Sequence, residues 1–263
     1  MDEILARYAE EAKKYGTLEL TSSEWLEEQA RVLNNRVGNL KLIDCPRCKN
    51  RGEIAVVRDG GIVMTECGCM TKRRAMRRMK ESGLEDVISR YTFGTFQTNE
   101  DWQRAALETC EGYAENPSGW LLISGNPGTG KTHLCTAVCG GLLKAGYDVR
   151  YFLWRTEAPV LKAYAGTPEY AEKVRPYKEV KVLYIDDFLK ARAVTDADIN
   201  LAFDILNARY NNTSLLTIIS SERTMEEMLD LDEAVGSRIY ERRQAYIKTV
   251  GKENWRLRDE RAC

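Results

Sequence analysis

The chain has 263 residues, 43% of them hydrophobic and 30% charged, and its formal net charge is −1. That length supports one large domain, or one large and one small. The composition fits a soluble globular protein and excludes a global basic field for nucleic acid, so any such binding rests on local patches. No apolar run reaches the length of a membrane span, and the opening Met1-Asp2-Glu3 is acidic with no apolar signal core, which predicts a cytoplasmic protein with no membrane partner.

Residues 1 to about 40 are polar and helix-favouring. Ile4, Leu5 and Tyr8 share one face of a first amphipathic helix, and a second begins at Ser22-Ser23-Glu24-Trp25-Leu26-Glu27. Short helices with a single apolar stripe are marginal alone and need a surface to cover, either the chain's own body or another protein. Cys45-Pro46-Arg47-Cys48 follows, and after eighteen residues Cys67-Gly68-Cys69. Between the pairs, Glu53 to Val57 and Ile62 to Thr65 read as two strands around Asp59-Gly60-Gly61, a hairpin signal. Two cysteine pairs at the ends of a hairpin can place four thiolates tetrahedrally around Zn²⁺, and four cysteines leave no open position, so a structural site is expected. Cys110, Cys135, Cys139 and Cys263 show no such pattern; Cys135 and Cys139, four apart, read as core. The run Lys72-Arg73-Arg74-Ala75-Met76-Arg77-Arg78-Met79-Lys80 reads as a basic helix, either a solvated face or a contact for a DNA backbone.

Residues 91–263 read as one α/β unit. Strands are predicted at Trp120–Ser124, Val149–Leu153, Val180–Ile185 and Leu215–Ser220, with helical segments between them as a parallel sheet requires. Gly125-Asn126-Pro127-Gly128-Thr129-Gly130-Lys131-Thr132 matches the phosphate-loop pattern, with an apolar strand before it and a helix after it that stops near Gly146. Glycines let backbone N–H groups turn inward around phosphate oxygens, and the helix N-terminus adds its dipole. Lys131 is then expected to reach the β- and γ-phosphates of a nucleoside triphosphate, and the Thr132 hydroxyl to ligate Mg²⁺. His133, the only histidine, packs at the helix start beside this nucleotide site.

The strand Val180–Ile185 delivers Asp186 and Asp187 at its C-terminal end. Asp186 is expected to hold Mg²⁺ and Asp187 to orient or deprotonate the attacking water. The next strand ends in Ser220-Ser221-Glu222; these polar groups can sense the γ-phosphate, and Ser221 is the favoured one. Arg238, with Arg242 and Arg243 close behind, offers a guanidinium suited to the spread charge of phosphoryl transfer, and a neighbouring subunit can supply it.

Together the cysteine hairpin, Gly125–Thr132, Asp186-Asp187, Thr217-Ile218-Ile219-Ser220-Ser221-Glu222 and Gly236-Ser237-Arg238-Ile239 resemble the AAA+ ATPases of the helicase-loader group, the DnaC/DnaI type, over roughly residues 40 to 263. The resemblance implies a P-loop AAA+ domain with a parallel sheet over 91–263, preceded by a small helical and zinc-hairpin domain over 1–90 that contacts a replicative hexameric helicase. It implies ATP hydrolysis, self-association into a ring or spiral with Arg238 as the trans-acting finger, and placement of the helicase on single-stranded DNA. Tyr91 to Phe96 occupy the stretch near the adenine. Candidates for the DNA contact are Lys190, Arg192, Lys162 and Tyr164, because basic and aromatic groups suit sequence-neutral strand binding. This chain departs from many AAA+ proteins at one acid: they carry Glu where Asp187 stands, one methylene longer. A transposition ATPase of the IstB type shares nearly all these motifs, and an adaptor or helicase antagonist that binds ATP without turnover is the reading from a different class.

Overall fold

The computed structural model describes residues 22–249 apart from Leu42 and Arg192. The expected helix at Ile4, Leu5 and Tyr8, the DNA candidate Arg192, and Cys263 lie outside the described residues. The chain divides into two compact units, with the division between Arg73 and Arg74. The sequence places that boundary after residue 90. It falls earlier because Leu84 and Ile88 are buried in the core of the second unit, among Leu134, Val138 and Leu142.

In the first unit, helix α1 (Ser22–Asn34) is followed by an antiparallel hairpin of β1 (Glu53–Arg58) and β2 (Gly61–Glu66), paired from Glu53↔Glu66 to Arg58↔Gly61. Asp59 and Gly60 both take positive φ, 49° and 72°, the geometry of the two-residue turn that matches strand twist. Asn34 locks the helix end to the hairpin: its amide donates to the Ala55 carbonyl at 2.9 Å and accepts from the Ala55 N–H at 2.8 Å. Helix α2 (Cys69–Glu81) begins at the last cysteine of the hairpin. Its Arg73 is buried and donates to the carbonyls of Lys41 and Ile43 and to Asn50 Oδ1, so this member of the basic run is a structural tie and not a free cation for DNA.

The second unit carries a five-stranded sheet. Its strands are β3 (Trp120–Gly125), β4 (Val149–Leu153), β5 (Val182–Asp186), β6 (Leu216–Ser221) and β7 (Arg243–Thr249), in the order β4-β5-β6-β3-β7 and parallel throughout. Parallel neighbours need long crossovers, and helices supply them. Helices α3 (Glu85–Ile88) and α4 (Asp101–Glu115) precede the first strand of the sheet, and the crossovers use α5 (Lys131–Ala145), α6 (Trp154–Ala163), α7 (Tyr170–Glu179), α8 (Asp196–Tyr210), α9 (Met225–Leu231) and α10 (Glu233–Arg242). Both faces of the sheet are covered. Trp120, Leu122, Leu183 and Ile185 enter one apolar cluster, while Leu121, Ile123, Val182 and Tyr184 enter the other. Burial on both faces is why β3 and β5 read as unbroken apolar runs.

Four of the five strands are those expected. The fifth, β7, was not expected: Arg-Gln-Ala-Tyr-Ile-Lys-Thr is polar and is fully buried only at Ile247 and Thr249, as suits a strand at the sheet edge. Helix α5 stops where its glycine predicts: Gly146 takes φ 98° and its N–H bonds the carbonyls of Leu142 and Leu143. Cys135 and Cys139 are fully buried, as expected of core thiols, and so is Cys110.

Candidate nucleotide site and cysteine centre

The phosphate loop leaves β3 at Gly125 and ends where α5 begins at Lys131. Gly125, Gly128 and Gly130 all hold positive φ, at 128°, 77° and 87°. Only glycine takes these values without strain, and at Gly125 a side chain would also collide with Thr249. The loop is stitched from below by hydroxyls. Thr129 donates to the Asn126 carbonyl at 2.9 Å and pairs with the Thr249 hydroxyl at 2.8 Å, while Thr249 donates to the Ser124 carbonyl at 3.0 Å. The unexpected strand β7 therefore fixes the loop's floor. Lys131 curls over the loop and donates to the carbonyls of Gly125 at 2.8 Å and Asn126 at 2.7 Å. Burial pulls its pKa below the ordinary lysine value, with Glu222 and Asp187 acting against that shift.

Asp186 sits at the end of β5, buried, and three neighbours orient its carboxylate. Thr132 donates to Oδ1 at 3.1 Å, Ser220 donates to the same oxygen, and the Tyr151 hydroxyl donates to Oδ2 at 2.9 Å. The Thr132–Asp186 contact brings together the two side chains expected to share a magnesium ion. Asp187 turns out of the strand with φ 55°, and its N–H bonds Ser220 Oγ at 3.1 Å. Its carboxylate meets Lys190, whose ammonium lies 3.2 and 3.3 Å from the two oxygens and 2.7 Å from Glu222 Oε1. Lys131, Thr132, Asp187, Lys190 and Glu222 line one cavity of about 190 Å³, together with Tyr91 and Pro127.

A second hollow, of about 220 Å³, adjoins the loop and is lined by Thr95, Phe96, Gln97, Gln103, Thr129 and His133. His133 lies between Tyr91 and Phe96, with ring centroids 5.0 and 5.3 Å away. Its Nε2 lies 2.9 Å from the Thr92 carbonyl, which can only accept, so Nε2 carries the proton. Burial holds the ring's pKa below the ordinary histidine value. Phe96 and His133 give this hollow an aromatic wall beside the phosphate loop.

Sequence and structure differ over the end of β6. Ser221, expected to face the phosphate, is fully buried; its hydroxyl donates to the Phe188 carbonyl at 2.9 Å and accepts from the Arg223 N–H at 3.1 Å. It ties two turns together. Alternation along the strand sends Ser220 to the acid pair, and the turn that follows presents Glu222 to the cavity. Lys190, read as a DNA contact, is committed to two carboxylates in that cavity.

In the first unit, Cys45, Cys48, Cys67 and Cys69 bring their four sulfur atoms within 4.8 Å of one another. Cys45 and Cys67 are 3.9 Å apart and Cys48 and Cys69 are 3.5 Å apart. Four thiolates at zinc–sulfur bond length around a tetrahedral ion stand about 3.8 Å apart, close to these two separations, so the chemistry and clustering of the donor set fit Zn²⁺. The Gly52 N–H donates to Cys48 Sγ at 3.3 Å, a second contact of the kind that supports a metal-bound thiolate.

Residues 60–263 match the family described as IstB-like ATP binding protein. The chain belongs to that family. It is 32% identical over 221 residues to the phage-like element PBSX protein XkdC of Bacillus subtilis (strain 168), covering 79% of this chain and 82% of the relative. It is 29% identical over 185 residues to the replicative helicase loader DnaC of Escherichia coli (strain K12), covering 65% of this chain and 71% of DnaC. The fold is shared with a crystal structure of the DnaC helicase loader, at a TM-score of 0.55 and 24% identity over 62% of this chain and 98% of that one. The protein is thus an AAA+ ATPase-family member of the IstB/DnaC-like kind, and its phosphate loop is the loop of an ATP-binding family.

In this IstB-like chain Arg238 is not a lining residue of its own nucleotide cavity. It stands on α10 against α8, where its Nε donates to Asn207 Oδ1 at 3.0 Å and its guanidinium lies over the rings of Phe203 and Tyr210, at 4.6 and 5.5 Å. Lys162, another DNA candidate, is paired with Asp198 at 2.5 Å, and Tyr164 lies under Lys173 at 5.2 Å. Among the described residues, no helix is long and apolar enough to cross a membrane.

Proposed function

We propose that this protein is an ATPase that loads a replicative hexameric helicase onto single-stranded DNA. The observation that carries the enzymatic part is the Thr132–Asp186 contact at 3.1 Å, flanked by Lys131 on the loop and Asp187 at the cavity wall. Lys131 would bind the β- and γ-phosphates, and Thr132 and Asp186 would hold Mg²⁺, which neutralises charge on the phosphates when bound. Ser220 and Tyr151 fix the angle of Asp186. Asp187 takes the proton of the attacking water as its oxygen bonds the γ-phosphorus; the bond to the β,γ-bridging oxygen breaks, and its electron pair leaves on ADP. Arg238 would complete the site of a neighbouring copy in a ring or spiral, since it lies outside the cavity of its own chain. The loading part rests on the kinship with DnaC and on a four-cysteine unit ahead of the ATPase unit. That unit, stapled by Zn²⁺ at Cys45, Cys48, Cys67 and Cys69, would contact the helicase.

Two measurements test this reading. Wild type should hydrolyse ATP, with stimulation by single-stranded DNA; Lys131→Ala should lose nucleotide binding, and Asp187→Asn should bind without cleaving. Equal slow turnover by wild type and Asp187→Asn would leave an ATP-bound adaptor. The full chain should also retain a replicative helicase in a pull-down. Retention of a transposase instead would favour the transposition reading that the family's IstB name carries.

A further inference from the structure

Lys190 is placed by an unusual piece of backbone. Asp187 and Leu189 both adopt the left-handed region, at φ 55° and 53°, although neither is glycine, and Leu189 is fully buried. Such conformations persist where the surroundings impose them. Their effect is to fold the chain back after β5, with the Lys190 N–H bonded to the Asp187 carbonyl at 3.0 Å. The Lys190 side chain thereby returns to the phosphate cavity instead of running outward with the loop. It is 26% exposed, at the cavity wall, so an entering ligand can reach it.

The charges around it explain what it is for. Asp187 and Glu222 both face the cavity, and Lys131 is bound to loop carbonyls. Without Lys190, two carboxylates would stand where a triphosphate must bring its most negative end. With it, they are neutralised by an ammonium held at 2.7 to 3.3 Å. A terminal phosphate group is more highly charged than a carboxylate and competes well for that ammonium. We propose that Lys190 is a cation for the terminal phosphate of a nucleoside triphosphate, supplied by the same chain, and that it exchanges Asp187 and Glu222 for a phosphoryl oxygen when the triphosphate enters. The exchange frees Asp187 at the moment a water proton needs an acceptor. A diphosphate has no group at that position, so Lys190 stays on the carboxylates. Lys190 therefore reports which nucleotide is bound. This rests on the ATPase reading above.

The test is a pair of titrations on the full chain, with fluorescent ADP and with a fluorescent non-hydrolysable ATP analogue, both with Mg²⁺. Lys190→Ala should weaken the triphosphate by about tenfold and leave the diphosphate within about twofold. Lys190→Arg should restore most of the difference, and Glu222→Gln, which removes a competing charge, should tighten the triphosphate. Equal weakening of both nucleotides, or no change in either, overturns the proposal, as does a Lys190→Arg protein that melts like wild type yet discriminates no better than Lys190→Ala. A wild type that binds neither nucleotide defeats the ATP-site reading itself, which is a different result.

Discussion

Arg209 on α8 is fully buried, and its guanidinium bonds only neutral oxygens. Nε donates to Thr217 Oγ1 at 3.0 Å and Nη2 to the Leu216 carbonyl at 2.6 Å, both inside β6. Nη1 serves the carbonyls of Tyr177, Lys178 and Val180 at the end of α7, at 3.0, 3.3 and 2.9 Å. Burial lowers its pKa to about 9, still far enough above neutrality to keep the charge. The Arg209→Met variant keeps the length and loses every donor. The carbonyls at the helix end are part-exposed and can turn to water. Thr217 and Leu216 cannot, and each unpaired buried acceptor costs about 1–3 kcal/mol. Removing a desolvated charge offsets part of that cost. The net expectation is a loss of about 2–4 kcal/mol, or roughly 4–16 °C in melting temperature for a unit of this size. Arg209→Lys, with three donors on a single point, should fall between. Thermal and urea unfolding followed by circular dichroism measure both. A methionine variant within about 1 kcal/mol of wild type would refute the claim that this guanidinium holds the end of α7 against the sheet.

Three further outcomes are expected. Cys48→Ser should bind less than one equivalent of zinc by metal analysis, and chelation of wild type should release Zn²⁺ with loss of helix-hairpin structure in the first unit while ATP binding by the second persists. Gly125→Ala should abolish nucleotide binding in a fluorescence titration, because the new methyl meets Thr249 in a backbone conformation with φ 128° that alanine resists. His133 has a folded pKa below its unfolded one, so between the two values the unfolded chain binds more protons, and stability rises with pH there. Its contribution should be complete above about pH 6.5 and lost as pH falls through the lower, folded value. His133→Gln should flatten that slope in urea melts, and an unchanged slope would place its origin elsewhere.

The phosphate loop, the acid pair, the cysteine set and four of five strands are legible in the sequence because each is a local pattern. Three glycines at fixed spacing mean positive φ, and an apolar run ending in aspartates means a buried strand with a polar tip. What escaped depends on residues far apart in the chain. Thr249 meets Thr129 across more than a hundred residues, and Tyr151 meets Asp186 from the neighbouring strand. No local pattern announces either pairing. Strand β7 did leave a signal, the alternation Ala245-Tyr246-Ile247-Lys248-Thr249, but its polar residues mask it. Ser221 misled because the serines are adjacent: alternate residues of a strand point to opposite faces, and only the strand's register decides which hydroxyl meets the acids. Lys190 misled for a related reason, since two left-handed residues reverse the direction that an exposed loop would otherwise give it.

Strand β7 links two ends of the proposed machine. It starts at Arg243, five positions beyond Arg238, and it ends at Thr249, whose hydroxyl underpins the phosphate loop. In the proposed ring or spiral, a pull or twist exerted by an adjoining copy on α10 would have only the seven residues of β7 to travel before it reached the phosphate loop. A chain cut before Thr249 would keep every motif that marks it as an ATP binder and lose the keel beneath them.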